Sequence, residues 1–340
     1  VKRAALLAFG IALATLACGG DTPPSQQPDV ETPAASSRPS APVPETTAPP
    51  EAIAWLKANA IPFDTSKAGS GFDDLQPLKK VVGDARIVAL GEATHGTREF
   101  FEMKHRLLEF LVVEMGFNTF AMEANWPEAR LINDYVMTGQ GSRGEILQSL
   151  IIWPWKTEEV LDMIEWMRAY NANPAHARKV SFHGFDMQGP EKAIQHVLDY
   201  LAIVDPNQRA NAEARYSCFT MPLAEYPGYS ARPLSERRLC RGSLQAVYDG
   251  LASGRGVYVD KTSASDFEAA LQAARVVLEA EEMYGLGSGG ASARDKFMAE
   301  NADWLLTQAG SGAKVVLWAH NGHVSTGRAE HGLLPSADLW

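Results

Sequence analysis

Apolar and polar positions alternate along the chain in blocks whose periods switch between strand and helix. Arg86-Ile87-Val88-Ala89-Leu90 is a short apolar run that reads as a buried strand, followed by the loop Gly91-Glu92-Ala93-Thr94-His95-Gly96. Phe100, Met103, Leu107 and Leu111 then recur at helical spacing, with Thr97 placed to cap the start, Glu99 at the positive end of the dipole and Gly116 at the stop. A second strand, Phe117 to Met122, delivers Glu123, and a helix from Thr157 to Asn171 carries Glu158 and Glu159 in its first turn. Lys179 to Phe185 is a third strand, ending at Asp186. Pro190 opens another helix, bearing Ile194, Val197, Leu198 and Leu201. Helices follow at Ser265–Tyr284, with the stripe Phe267, Leu271, Ala274 and Leu278, and at Ala293–Gln308, with a flexible break at Gly285–Gly290 between them. The last strand, Lys314 to Trp318, runs into Ala319-His320-Asn321-Gly322-His323. Strands separated by helices predict an α/β fold: a largely parallel sheet flanked by helices, with additional helical insertions and all strand C-termini on one edge. No internal repeat is present, and one folded domain is expected.

The first fifty residues follow a different pattern. Lys2 and Arg3 precede the apolar run Ala4 to Ala17, which ends at Cys18-Gly19-Gly20; this is the layout of a secretory signal over residues 1–17. Cys18 after Leu16-Ala17 resembles a bacterial lipobox, with Thr15 where that motif usually has Leu, so lipidation of Cys18 is expected, with free secretion as the alternative. Residues 18–50 form a proline-rich linker: nine of the 20 prolines fall in 21–50, and that stretch has no aromatic, Leu or Ile to bury. Export to the cell envelope, anchored to the membrane through the lipid alone, is the resulting expectation. Cys218 and Cys240 remain as one disulfide pair in a compartment where such bonds persist, bracketing an aperiodic segment, Phe219 to Leu239, read as a long loop.

Charge and motifs narrow the function. The chain has 340 residues and a formal net charge of −10, without basic runs, which excludes nucleic acid as a partner. No internal stretch is apolar enough to span a bilayer. Neither Gly-x-Ser-x-Gly, nor Gly-x-x-x-x-Gly-Lys-Ser/Thr, nor His-Glu-x-x-His occurs. The chemistry lies instead at the strand ends. Glu92 and His95 follow the first strand, Glu123 the second, Asp186 the third, and His320 and His323 the last, where a parallel sheet gathers ligands. Imidazoles beside carboxylates suit proton transfer near neutral pH or metal ligation.

Gly91-Glu92-Ala93-Thr94-His95-Gly96, Glu123, Trp153-Pro154-Trp155, Gly184-Phe185-Asp186-Met187, Arg294-Asp295 with Met298-Ala299-Glu300-Asn301, and Trp318-Ala319-His320-Asn321-Gly322-His323 together resemble the erythromycin esterase family. The resemblance runs from about residue 55 to 325. It implies an α/β core with added helices, and hydrolysis of a small-molecule ester, a macrolide lactone above all, without a covalent enzyme intermediate or a cofactor. A role in antibiotic resistance follows from that substrate. In this reading His95 is the general base for water, Glu92 or Glu123 fixes its tautomer, and His320 or His323 stabilises the oxyanion or protonates the leaving alkoxide. Lys104, which stands where characterised members have Arg, is assigned to substrate binding together with Arg98 and Asp186. Family members usually continue past the closing histidines, so residues 51–340 are expected to be a catalytic domain whose C-terminal part is missing. Two other functions stay open: a divalent metal held by His95, His320, His323 and the carboxylates, and a haem- or ligand-binding surface lipoprotein without a Cys-x-x-Cys-His attachment site.

Several of these residues have plainer readings. His105 is expected on a solvated or boundary face of its helix, and His183 as a hydrogen-bonded core residue. Trp153, Trp155 and Trp166 read as core or as the lining of a cleft. Asp186 either caps the next helix or lines the site. Arg294 and Glu300 read as a solvated helix pair.

Overall fold

The computed structural model describes residues 49–150 and 153–324. The segment read as a secretory signal, Cys18, the stretch up to residue 48 read as a linker, the side chain of Trp153 and the end of the chain lie outside the described residues. The chain divides into two units at Ala60/Ile61. In the first, the described part is α1 (Pro50–Asn59), started by Pro50 and Glu51.

The second unit runs through α2 (Leu78–Val82), β1 (Ile87–Leu90), α3 (Arg98–Met115), β2 (Thr119–Asn125), α4 (Trp126–Thr138), α5 (Arg143–Ser149), α6 (Glu158–Ala172) and β3 (Ser181–Asp186). It continues through α7 (Pro190–Val204), α8 (Pro206–Tyr216), α9 (Leu234–Ser253), α10 (Arg255–Lys261), α11 (Ala264–Gly285), α12 (Gly290–Gln308), β4 (Val315–Trp318) and α13 (Asn321–Val324). The four strands are ordered β1-β4-β2-β3, and every pair is parallel. Ala121 lies in register with Leu317 on one side and His183 on the other. Helices enter the sheet only as crossovers, so the parallel expectation holds.

Strand side chains alternate between two cores, as a period of two demands. Val315, Leu317, Ala121 and Phe185 face a layer built on α7, α8, α9, α11 and α12. Val316, Trp318, Phe120, Met122 and Phe182 face the other, with α3, α6 and the inner side of α4. β2 and β4 are buried along their whole length. β3 packs closely on β2, because a Cβ on Gly184 would sit 2.3 Å from the Ala124 carbonyl oxygen. At the outer edge of β3 the Asn133 side chain accepts from the Phe182 N–H at 3.0 Å.

The differences from the sequence reading have physical causes. Thr97 does hold the N-cap position of α3, but its hydroxyl bonds to that of Thr94 at 2.7 Å and caps no amide. Gly116 ends the helix in the left-handed region, φ 72°. His105 is buried, not solvated, since it faces α6 with its ring 6.0 Å from that of Trp166. Burial lowers its pKa to about 4. The Gly285–Gly290 break is an ordered 3-10 turn, Gly287–Gly289. The segment between the cysteines is also ordered, as a 3-10 stretch, Leu223–Ala231, followed by α9. The start of α9 is polar, and its buried stripe, Cys240, Leu244, Val247 and Leu251, begins only at the second cysteine.

Cys218 and Cys240 are joined in a disulfide, with Cα atoms 5.6 Å apart and a sequence separation of 22. A crosslink closing a loop of that length stabilises by about 3 kcal/mol. The double substitution Cys218→Ser/Cys240→Ser is therefore expected to lower the unfolding free energy by about that amount in urea titrations, with secondary structure retained.

Candidate active site

β1 and β4 are neighbours, so the loops leaving them lie side by side. Gly91 permits this contact, because a side chain there would collide with that of Asn321. The Asn321 N–H closes the contact on the Glu92 carbonyl at 2.8 Å. Glu92 is turned inward and buried. One oxygen accepts from His95 Nδ1 at 2.7 Å; the other accepts from Lys104 Nζ at 2.9 Å and Trp318 Nε1 at 3.1 Å. Lys104 also lies over the Trp318 ring, 4.6 Å from its centroid. Burial pulls the Lys104 ammonium down to about 8, against the raising influence of Glu92.

The contact with Glu92 selects the tautomer of His95. A carboxylate only accepts, so Nδ1 is the donor, and in the neutral ring the lone pair is on Nε2. Nε2 has no hydrogen-bond partner among the described residues, and the side chain is 28% exposed. The ring stands edge-on to buried Trp155, centroids 5.0 Å apart, and 5.2 Å from the ring of His320. The His320 ring is held by backbone groups. Its Nε2 donates to the Ala93 carbonyl at 3.1 Å and its Nδ1 accepts from the Gly322 N–H at 3.0 Å. Its own N–H donates to Glu123 Oε2 at 2.9 Å.

A second group of charges lies at the ends of β2 and β3. Arg294, from α12, donates to Asp186 at 2.6 and 3.1 Å and to Glu123 at 2.7 Å. His323 Nδ1 donates to Asp295 at 2.5 Å, and its Nε2 lies 3.2 Å from Glu123 and 2.9 Å from Arg294 Nη1. Burial works against the charge on His323, but Asp295 and Glu123 outweigh it and raise its pKa to about 9. Burial likewise works against the charge on Glu123, yet His323 and Arg294 drive its carboxyl well below the usual range. Trp155 Nε1 donates to the Glu123 carbonyl at 2.7 Å, linking this group to the wall behind His95.

Comparison with known proteins settles the family. The erythromycin esterase family model matches residues 112–337. Erythromycin esterase type II of Escherichia coli is 31% identical over 291 residues, 79% of this chain and 68% of that protein. The chain belongs to the erythromycin esterase family. A solved structure of a Bacillus cereus protein superposes with a TM-score of 0.74 at 31% identity, covering 85% of this chain and 70% of that one. A structure of an erythromycin esterase mutant in its open conformation matches with a TM-score of 0.62 at 18% identity, covering 74% and 64%, which shows the shared fold. The chain thus spans about two thirds of the length of these relatives.

Within this family fold, Glu92, His95, Glu123, His320 and His323 do gather at one edge of the sheet. Of the residues read as substrate-binding, Lys104 and Asp186 lie within this cluster and are engaged by it, and Arg98 lies at the start of α3. Lys104 is buried and committed to Glu92. Asp186 is fully buried and committed to Arg294; α7 starts from Gly189, so Asp186 does not cap it. Arg98 is exposed and engaged by Glu102 and Glu159. Arg294 is no solvated pair with Glu300, which binds Arg275 instead. Arg294 and Asp295 are the site residues that periodicity missed, since a charged pair on a helix looks solvent-facing until the strand ends are packed against it. Trp155 is core, and its ring also backs His95.

The pKa of His323 in the fold lies above its unfolded value. Its contribution to stability is therefore complete below about pH 6.5 and lost as pH rises through about 9. Buried Glu128, pushed up to about 8, and Glu279, up to about 7, give declines of the same sign. The comparison with His323→Gln isolates the histidine: urea midpoints at about pH 6 and about pH 10 should differ less in the variant than in the parent protein.

Arg294→Met would leave Glu123 and Asp186 buried without their cation, at a cost of about 3–5 kcal/mol. Denaturant titration should show that loss, whereas Arg294→Lys should recover part of it.

Proposed function

We propose that the chain hydrolyses a carboxylic ester, with water activated by His95. The observation that carries this reading is the imidazole fixed through Nδ1 by buried Glu92, with Nε2 unpartnered among the described residues and the side chain partly exposed. Water hydrogen-bonded to Nε2 attacks the ester carbonyl as His95 takes its proton, and Glu92 stabilises the imidazolium that forms; the tetrahedral intermediate then breaks its ester C–O bond, and the leaving alkoxide takes that proton from His95. The His320 Nε2–H, now on the Ala93 carbonyl, is the imidazole donor beside His95 that can turn to the developing oxyanion. The charged group of Arg294, His323, Glu123 and Asp186 holds the far side of the site in place. Lys104 pairs with Glu92 in its buried position.

Membership of the family supports a macrolide lactone or a related ester as the proposed substrate, whose opening would remove an antibiotic's activity. A divalent metal fits the donor set less well, because both ring nitrogens of His320 are bound to backbone and His323 is held between acids and a guanidinium. The signal-like start and the lipobox-like Cys18 support the further proposal of an exported, lipid-anchored enzyme.

The test is incubation of the protein with several macrolides and simple esters, with and without chelator, with mass detection of water addition. His95→Asn is expected to lower the rate about 100- to 10,000-fold while circular dichroism stays unchanged. Glu92→Gln should lower kcat more than it alters KM, since the glutamine amide cannot stabilise the imidazolium. Undiminished turnover by His95→Asn removes His95 from the mechanism, and loss of turnover with chelator, restored by one metal, would replace it with metal-activated water.

A further inference from the structure

Away from this site, a cavity of about 790 Å3 opens between α4, the amino-terminal half of β3 and the facing parts of α11 and α12. Its volume is that of a small-molecule site. It shares no residue with the histidine–carboxylate cluster. Arg130 lines it, half-buried, with its guanidinium over the Trp126 ring at 5.4 Å. Among the described residues that guanidinium makes no hydrogen bond and no ion pair, whereas each of the other arginines that is not exposed is held by at least one. A cation that gives up water without gaining a partner costs the folded state, so the position calls for an explanation. Burial holds Arg130 below the ordinary arginine range, against the pull of Asp134 and Asp266.

The rest of the wall indicates what would bind there. Trp304 stands edge-on to Trp126, centroids 5.8 Å apart, and both indoles line the cavity. Two carboxylates also line it. Glu268 is already neutralised by Arg255, while Asp134, one turn beyond Arg130 on α4, carries no such partner. A multiply charged anion such as a phosphate would meet Asp134 with repulsion. A single carboxylate matches the planar fork of Arg130, and a flat ring matches the indoles.

We propose that this cavity binds an organic monocarboxylate with a flat aromatic body, its carboxylate taken by Arg130 and its ring by Trp126 and Trp304. This function is separate from ester hydrolysis and does not depend on it.

The probe is 2-naphthoate, titrated into the intact chain and followed by calorimetry and tryptophan fluorescence. One saturable site with Kd below about 1 mM is expected, weakened about tenfold or more in Arg130→Gln and in Trp304→Ala. The neutral analogue 2-naphthylmethanol should bind about tenfold more weakly or worse, and 2-naphthyl phosphate no better than the carboxylate. His95→Asn should bind 2-naphthoate as the parent protein does, which keeps this result independent of the hydrolytic site. Arg130→Gln is expected to melt no earlier than the parent; should it not fold, Trp304→Ala carries the comparison. No saturable binding up to about 10 mM, equal affinity in Arg130→Gln or Trp304→Ala, or loss of binding in His95→Asn would overturn the proposal.

Discussion

Carboxylates placed at the dry end of a parallel sheet stay ionised only if cations reach them, and that requirement shapes this protein more than any single motif. Glu92, Glu123 and Asp186 are each almost wholly buried. The charges that balance them come from elsewhere in the chain: Lys104 from α3, Arg294 from α12, and the imidazolium of His323 from α13. Each pairing also spans different elements of the fold, so the ion pairs set the positions of helices against strands. Breaking one would expose an unpaired buried charge, which is far more costly than losing a surface pair.

The same charges divide the site into two halves with different tasks. Around Glu92 one imidazole is oriented through a single nitrogen, and the other nitrogen has no partner among the described residues. Around Glu123 both carboxylate oxygens are engaged, by Arg294, His323 and the His320 N–H. A base that must exchange protons belongs in the first environment. The second ties β2, β3 and the closing histidines together beside the proposed base.

The sheet and the convergence of Glu92, His95, Glu123 and the two closing histidines were legible in the sequence, because buried strands are short apolar runs and parallel topology places their ends together. The roles of Lys104, Asp186 and Arg294 were not. Each is a charged residue in an ordinary-looking position, and only the packing of α3 and α12 onto the strand ends shows that its partner is internal. His105 was misplaced for a related reason: the amphipathic stripe of α3 does not reveal that α6 covers a second side of the helix. The helices after Glu123 and between the cysteines escaped notice because α4 begins directly at the strand end and the start of α9 is polar.

The Asn133 side chain on the Phe182 N–H has a consequence for solubility. An outermost strand presents unsatisfied backbone groups that can recruit a strand from another molecule, and proteins avoid aggregation by blocking that row. Here an amide from α4 occupies one donor that an incoming strand would need, so the polypeptide itself blocks that position on the edge.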